Sequence, residues 1–150
     1  YYGEATRRQS KDEPHCAAIT MILDTTFVID LMVQSPDAVQ KLQELQRRQE
    51  VLYITTPTIV ELWSGVVQSS RQEQEKRKVV DIIESQRVLD LTESAAEEAG
   101  KIDGTLYKEG VPIEPVDCMI AGITRHHGET LLTKNVKHFR RINGLNVETY

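Results

Sequence analysis

Three acids and one amide, far apart in the sequence, occupy positions from which they could share a site. Asp24 ends a short apolar run, Glu61 follows a second run near the start of a helix, and Asn135 follows a third. The loops after the strands of an open parallel sheet lie at one edge, where ligands bind, so these side chains are expected to meet. Asp117 opens an apolar helix. A cluster of acids at one sheet edge requires a metal ion, and the sequence therefore predicts a metal site.

The position of Asp117 does not follow from the sequence pattern alone. Its helix precedes the fourth predicted strand, which would normally place the helix start at the opposite edge of the sheet. Asp117 reaches the other acids only if residues 111–116 cross back over the sheet. Each acid taken singly is also more often a helix cap or a dipole partner than a metal ligand. Only the joint pattern favours a metal site.

Strands and helices that alternate along the chain must position these residues. Apolar, β-prone runs predict strands at residues 21–24, 51–55, 87–91, 130–133 and 145–149. Helical periodicity and capping residues predict helices at 25–32, 36–49, 56–66, 70–83, 92–110 and 117–128, with a turn or short helix at 135–141. This alternation favours an α/β domain with a mainly parallel, five-stranded sheet.

The length of 150 residues, with 39% apolar and 27% charged residues, is typical of one globular domain. No run of apolar residues is long enough to span a membrane, and the first twenty residues lack the apolar segment of a signal peptide. Two cysteines, Cys16 and Cys118, cannot form a disulfide framework, which favours a reducing, cytoplasmic location. Residues 1–20 show no periodicity and are predicted to be an N-terminal extension, with the folded domain at 21–150.

The net charge of −5 argues against a general nucleic-acid-binding surface. The distribution of charge is more informative, because residues 125–141 contain five Lys or Arg and one acid. A local basic surface on an acidic protein can still bind phosphates. Ordinary solvated faces of a helix and a turn explain the same residues equally well.

Four segments resemble, in order and spacing, the motifs of the PIN-domain ribonucleases, particularly the VapC-type toxins of prokaryotic toxin–antitoxin pairs. They are ILDTT at 22–26, TIVELWSG at 58–65, PVDCMIA at 115–121 and LTKNVKHF at 132–139. The resemblance covers residues 21–150. It implies a three-layer α/β/α fold in which the helix that carries Asp117 brings this acid to the common site.

The resemblance also implies roles for individual residues. Asp24, Glu61 and Asp117 match the acidic metal ligands of the family. Asn135 falls where many members have a fourth acid, although asparagine is also common there. The missing charge is expected to weaken a second metal ion more than the first. Thr133 matches a small hydroxyl residue that often lies beside the site.

Oxygen ligands without a Cys or His set select a hard cation, so the expected cofactor is Mg²⁺ or Mn²⁺, with one or two ions. Such a site activates water for in-line attack on a phosphodiester. Asp24 is expected to be bridging or central, with Asp117 and Glu61 on either side, and Asn135 to position the water or complete a hydration shell. The resemblance implies that the substrate is single-stranded RNA, cut to leave a 5′-phosphate.

Partners follow from the same resemblance. Four basic residues directly after the site are predicted to bind the RNA backbone: Lys134, Lys137, Arg140 and Arg141. The basic cluster equally suits an acidic or C-terminal segment of a cognate antitoxin. A homodimer is also expected, because the family pairs and the helix around Phe27, Leu31 and Met32 can present apolar surface.

Rival interpretations are weaker. A haloacid-dehalogenase-like phosphotransferase needs a second acid two residues after Asp24, where the chain has Thr26. A response-regulator receiver needs an acidic pair at the first strand and a third-strand acid that ends its strand, whereas Leu91 continues past Asp90. The serious alternative is a catalytically degraded PIN-like module that binds RNA or protein, and Asn135 keeps it open.

Overall fold

The structure, a computed structural model, describes residues 20–150. Five strands and seven helices follow one another in these residues: β1 (Thr20–Leu23), α1 (Thr25–Met32), α2 (Pro36–Arg47), β2 (Val51–Thr55), α3 (Thr56–Gln68), α4 (Gln72–Ser85), β3 (Arg87–Leu89), α5 (Glu93–Lys108), α6 (Pro115–His127), β4 (Thr130–Leu132), α7 (Val136–Phe139) and β5 (Asn146–Glu148). The predicted N-terminal extension lies outside the described residues, apart from Thr20.

The five strands form one sheet in the order β3-β2-β1-β4-β5, and every neighbouring pair is parallel. The central strand β1 pairs with β2 on one side and β4 on the other, with Leu23 opposite Leu132. Because all strands run in the same direction, the residues that follow β1, β2 and β4 lie at the same edge of the sheet.

Alternation of side chains along the strands separates two hydrophobic cores, one on each face. Ile22 and Leu131 face a core built with α5, α6 and Phe139. Leu23 and Leu132 face a second core, which contains residues of α1, α2, α3 and α4. The sheet is therefore the middle layer of an α/β/α sandwich, and the predicted fold class is confirmed.

Helices α5 and α6 pack against each other at very short range. A side chain at Gly122 of α6 would place its Cβ 2.6 Å from the backbone nitrogen of Ala99 and 2.7 Å from the carbonyl oxygen of Ala95. Only glycine fits at this contact, and small residues on α5 allow the backbones to approach. The contact fixes the position of α6, whose first turn carries Asp117.

Several predicted boundaries differ from the structure. The third strand ends at Leu89 rather than 91, because the N–H of Leu91 donates to the Thr56 hydroxyl (3.0 Å) instead of continuing the ladder. Glu61 lies in the second turn of α3, which begins at Thr56 as predicted. Within residues 20–150, no helix combines the length and apolar character needed to span a membrane.

Candidate active site

Asp24 follows β1 directly and is 2% exposed. It is the N-cap residue of α1. Its Oδ1 accepts the N–H of Thr25 at 2.9 Å, and its Oδ2 accepts the hydroxyls of Thr26 at 2.9 Å and Thr133 at 2.7 Å. These bonds fix the orientation of the carboxylate.

A chain of contacts joins Asp24 to Asp117 through the loop after β4. The Thr133 hydroxyl, which donates to Asp24, also accepts the N–H of Asn135 at 2.9 Å. The side-chain amide of Asn135 lies 2.7 Å from Nδ1 of His138, and that nitrogen lies 3.8 Å from a carboxylate oxygen of Asp117. The two acids, 93 positions apart in the chain, therefore lie on either side of one short polar segment.

Glu61 is held near Asp24 by buried hydroxyl groups at the starts of α1 and α3. Thr55 and Thr58 are 0% exposed, and the Thr55 hydroxyl caps α3 by accepting the N–H of Thr58 at 3.3 Å. The Thr25 hydroxyl donates to the Thr58 hydroxyl at 3.1 Å, which connects the two helix starts. Glu61 is half-buried on the following turn of α3.

All three acids have raised pKa values. Burial raises the pKa of Asp24 even though its three hydrogen bonds lower it. Burial is also the main cause of the raised pKa of Glu61, and the charge of Asp24 adds to it. Burial and then the charges of Asp24 and Glu61 raise the pKa of Asp117 to about 6. Each acid therefore lies within electrostatic range of another.

The donor set suits a hard divalent cation, because it is made of carboxylate and amide oxygens. Among residues 20–150, no three His, Cys, Asp or Glu side chains stand close enough to hold one ion in their present positions. Like charges without a counter-ion repel one another, so a spread arrangement is the one expected for the protein alone. The donor atoms of the acids suit the predicted ion. Their side chains would have to move closer together to coordinate it.

The basic residues after the site have different surroundings. Lys134 pairs with Asp30 at 2.5 Å, and its side chain is 48% exposed. Arg141 donates to the carbonyl oxygen of Val111 at 3.4 Å. Arg140 is exposed and borders a cleft along β5, and Lys137 is exposed on α7. Their role in RNA binding stays a prediction.

His138 was not among the predicted site residues. Nδ1 of His138 lies 2.7 Å from the side-chain nitrogen of Asn135 and 3.8 Å from a carboxylate oxygen of Asp117. The spacing of three residues between Asn135 and His138 is a signal for contact across a helical turn, but the same spacing occurs in any helix. Cys118 is 2% exposed, as predicted for a small buried hydrophobe.

Phe27 does not contribute to the apolar surface predicted for α1, since it is 0% exposed and lies in the core, whereas Ile29 on the same helix is 46% exposed. Leu31 and Met32 are partly buried against the same core. Apolar side chains are instead exposed along α3, at Val60 (64%), Trp63 (37%) and Val67 (69%).

Relatives of this chain include proteins named VapC. The chain is 30% identical over 132 residues to a tRNA(fMet)-specific endonuclease VapC of Shigella flexneri, a match that covers 88% of this chain and 98% of that protein. It is 32% identical over 124 residues to a ribonuclease VapC1 of Haemophilus influenzae, which covers 83% of this chain and 92% of the relative.

Solved structures give the same result for the fold. A VapBC complex of Salmonella typhimurium bound to DNA matches with a TM-score of 0.78 and 30% identity, over 87% of this chain and 98% of that one. VapBC2 of Rickettsia felis, bound to a promoter DNA fragment, matches with a TM-score of 0.79 and 25% identity, over 88% and 99%. The PIN domain family matches residues 21–145. The chain therefore belongs to the PIN domain family and, within it, to the VapC-type ribonucleases.

Proposed function

We propose that the chain is a metal-dependent endoribonuclease that hydrolyses phosphodiester bonds of single-stranded RNA and acts in the cytoplasm as the toxin of a toxin–antitoxin pair. One observation carries the proposal: acids from three separate segments lie at the same sheet edge around a buried Asp24, with raised pKa values. Ion pairs normally lower the pKa of acids. Burial and neighbouring carboxylates raise it, which is the situation in a cluster of acids without a bound cation. PIN-domain nucleases generally use divalent metal ions.

The residues have separate roles in the proposed reaction. Asp24 would be the central ligand of Mg²⁺ or Mn²⁺, with Asp117 and Glu61 as the other carboxylate ligands. One or two bound ions would supply charge neutralisation and a more acidic water. Asn135 would orient the water for attack on phosphorus in line with the 3′-oxygen. The attacking water would lose its proton to solvent, and the departing 3′-oxygen would take up a proton from solvent, which leaves the phosphate on the 5′ side. The Thr133 hydroxyl donates to Asp24 and accepts the N–H of Asn135, and so it fixes the position of one relative to the other.

The substrate backbone is bound by the basic residues that follow the site. Lys137 and Arg140 have exposed side chains, and Lys134 exchanges its pairing with Asp30 for a phosphate. Arg141 supports the segment through its bond to the 111 carbonyl. Such contacts release counterions, so affinity for RNA falls steeply as salt rises.

The antitoxin is proposed to dock in a groove between α1, α2 and α4. The groove has a volume of roughly 1130 Å³, and its apolar lining includes Leu31, Val39, Leu42 and Ile82. An amphipathic segment with apolar anchors at helical spacing fits such a surface. The VapBC neighbours are complexes with partner proteins, which supports an antitoxin as the occupant here.

Cleavage of a mixture of RNAs by the purified chain tests the function. Cleavage is expected with Mn²⁺ or Mg²⁺ and is expected to stop with EDTA. Asp24→Asn and Asp117→Asn are each expected to lower the rate by at least about 100-fold while circular dichroism stays unchanged. Asp81→Asn, an exposed acid on α4, serves as the control.

Retained activity in either site variant would remove the proposed mechanism. RNA binding without cleavage, in any divalent metal, would favour the degraded binding module instead. In that case Asn135→Asp decides whether the missing fourth acid is the cause, because the variant restores the charge that many members have.

A further inference from the structure

His138 lies between two residues of the proposed site. It belongs to the short helix α7, which is anchored by Phe139 at 0% exposure, so the position of its backbone is fixed. The N–H of His138 donates to the carbonyl oxygen of Asn135 at 3.2 Å, and its Nδ1 lies 2.7 Å from Nδ2 of the same asparagine. Backbone and side chain thus both hold the residue against Asn135.

The contact determines how the amide of Asn135 is oriented. An amide nitrogen can only donate, so Nδ1 of His138 must accept, and the ring proton then lies on Nε2. The oxygen of the amide is left as the group's free acceptor. The side chain of Asn135 does not cap α7. Among the described residues, the contact with His138 is therefore the one that orients the amide.

We infer that His138 is a positioning residue, which holds the amide nitrogen of Asn135 against its own ring and so leaves the amide oxygen as the acceptor that a cation or its water could use. The inference rests on the proposed function. It explains how an amide can serve where other members have an acid, because an unrestrained asparagine would offer its N–H₂ group to the site as readily as its oxygen. The same Nδ1 lies 3.8 Å from a carboxylate oxygen of Asp117, which is beyond hydrogen-bond distance, so the closer contact of the ring is the one with Asn135.

Two substitutions of similar size separate this role from a structural one. In His138→Asn the side-chain oxygen occupies nearly the place of Nδ1 and can accept from Asn135. In His138→Gln the polar atoms lie one bond further out, near the place of Nε2, and the acceptor is lost. We expect His138→Gln to weaken Mn²⁺ binding, measured by calorimetry, by roughly 10-fold or more, and His138→Asn to stay within about 3-fold of the parent.

A double variant provides the decisive comparison. In the Asn135→Ala background, His138→Gln is expected to cause no further loss of Mn²⁺ affinity, because the group that it orients is gone. The control is His126→Gln. His126 is exposed and lies in the last turn of α6, at the opposite end from Asp117. Additive losses would show that His138 acts independently of Asn135 and would overturn the inference. Equal affinity of His138→Gln and the parent would also overturn it.

Nitrogen NMR of the metal-free protein tests the same contact without any ion. We expect His138 to carry its proton on Nε2 in the parent and to lose this preference in Asn135→Ala. A proton on Nδ1 in the parent would overturn the inference, whatever the protein does with metal. If the parent instead shows the expected tautomer but neither binds Mn²⁺ nor cleaves RNA, the proposed function fails and the positioning role toward a cation fails with it.

Discussion

Burial dominates the electrostatics of single residues in this site. Asp117 lies in the first turn of α6, where the helix dipole favours a negative charge. Its pKa is nevertheless raised to about 6, by burial and by the charges of Asp24 and Glu61. Asp24 shows the same balance, since three hydrogen bonds do not offset its burial. The protein therefore holds these carboxylates at a cost to its own stability, which a bound cation would remove.

Asp117→Asn is expected to stabilise the metal-free protein at neutral pH. The pKa of Asp117 is about 6 in the folded protein and 3.8 as the ordinary value, so folding takes up a proton between these pH values. The stabilising contribution of the protonated acid is complete below 3.8 and is lost as pH rises through 6. The variant escapes that loss, which is on the order of 2–3 kcal/mol.

Thermal unfolding in EDTA at pH 4 and pH 7.5 checks this prediction. The melting temperature of Asp117→Asn should exceed that of the parent by several degrees at pH 7.5, and the difference should shrink at pH 4. With Mn²⁺ added at pH 7.5, the parent should regain stability and the variant should gain less. A variant that is less stable than the parent at pH 7.5 in EDTA would contradict the assignment of a strained acid cluster.

Thr133 offers a second test at the scale of one residue. Its hydroxyl donates to Asp24 and accepts the N–H of Asn135, and the residue is 0% exposed. Thr133→Val keeps the shape but leaves a backbone N–H without its acceptor, so the free energy of unfolding should fall by about 1–3 kcal/mol. Thr133→Ser keeps both bonds and should lose less. Urea unfolding of the two variants measures the difference, and equal losses would show that packing, not hydrogen bonding, accounts for it.

The sequence predicted the acids of this site but not how they are supported. Asp24 and Glu61 could be recognised because each follows an apolar run, whereas only the resemblance placed Asp117 with them. The hydroxyls of Thr25 and Thr58 and the ring of His138 could not, since their roles depend on side-chain directions that periodicity does not specify. Lys134 is similar, because its pairing with Asp30 joins residues 104 positions apart.

At the scale of elements, the contact between α5 and α6 decides whether Asp117 reaches the site. The order of strands and helices was predictable from alternation, whereas the path from α5 to α6 was supplied only by the resemblance. Gly122 now gives a physical reason, because a glycine facing Ala95 and Ala99 lets the two helices approach to backbone distance. Strand ends were predicted less well, since short strands end where a side chain competes for a ladder hydrogen bond.

Gly122→Ala tests this contact. The added Cβ would meet backbone atoms at 2.6 and 2.7 Å, so α6 must move away from α5. We expect the free energy of unfolding to fall by about 1–3 kcal/mol or more, measured in urea, and Mn²⁺ affinity to fall because α6 carries Asp117. Gly104→Ala on α5 is the matched control. It has no atom within 4 Å of the added Cβ and should gain up to about 1 kcal/mol from helix propensity. If Gly122→Ala is less stable but keeps its Mn²⁺ affinity, the contact between α5 and α6 stabilises the fold without positioning the site.

At the scale of the whole molecule, exposed apolar surface indicates where a second copy would bind. Val60, Trp63 and Val67 are spaced by three and four residues and therefore share one face of α3. Ile29 on α1 is comparably exposed, as is Val33 directly after this helix. Contiguous apolar patches of this kind usually mark an interface. The homodimer predicted from the sequence is therefore expected to form through α3 rather than through the buried Phe27.

Val67→Glu is expected to separate the dimer into monomers. The new carboxylate would face its own copy across the pairing axis, and burying two like charges without partners is strongly unfavourable. Light scattering at micromolar concentration measures the mass, with Ile29→Glu on α1 as the comparison. A parent dimer that only Val67→Glu dissociates supports α3 as the interface, and dissociation by Ile29→Glu alone would move the interface to α1. A parent that is monomeric at these concentrations would contradict the expected dimer.

Glu61 lies on the same helix as this apolar face. A dimer through α3 would therefore bring the two active sites close to each other. Loss of RNA cleavage in the monomeric Val67→Glu variant would show that one copy alone does not form a working site.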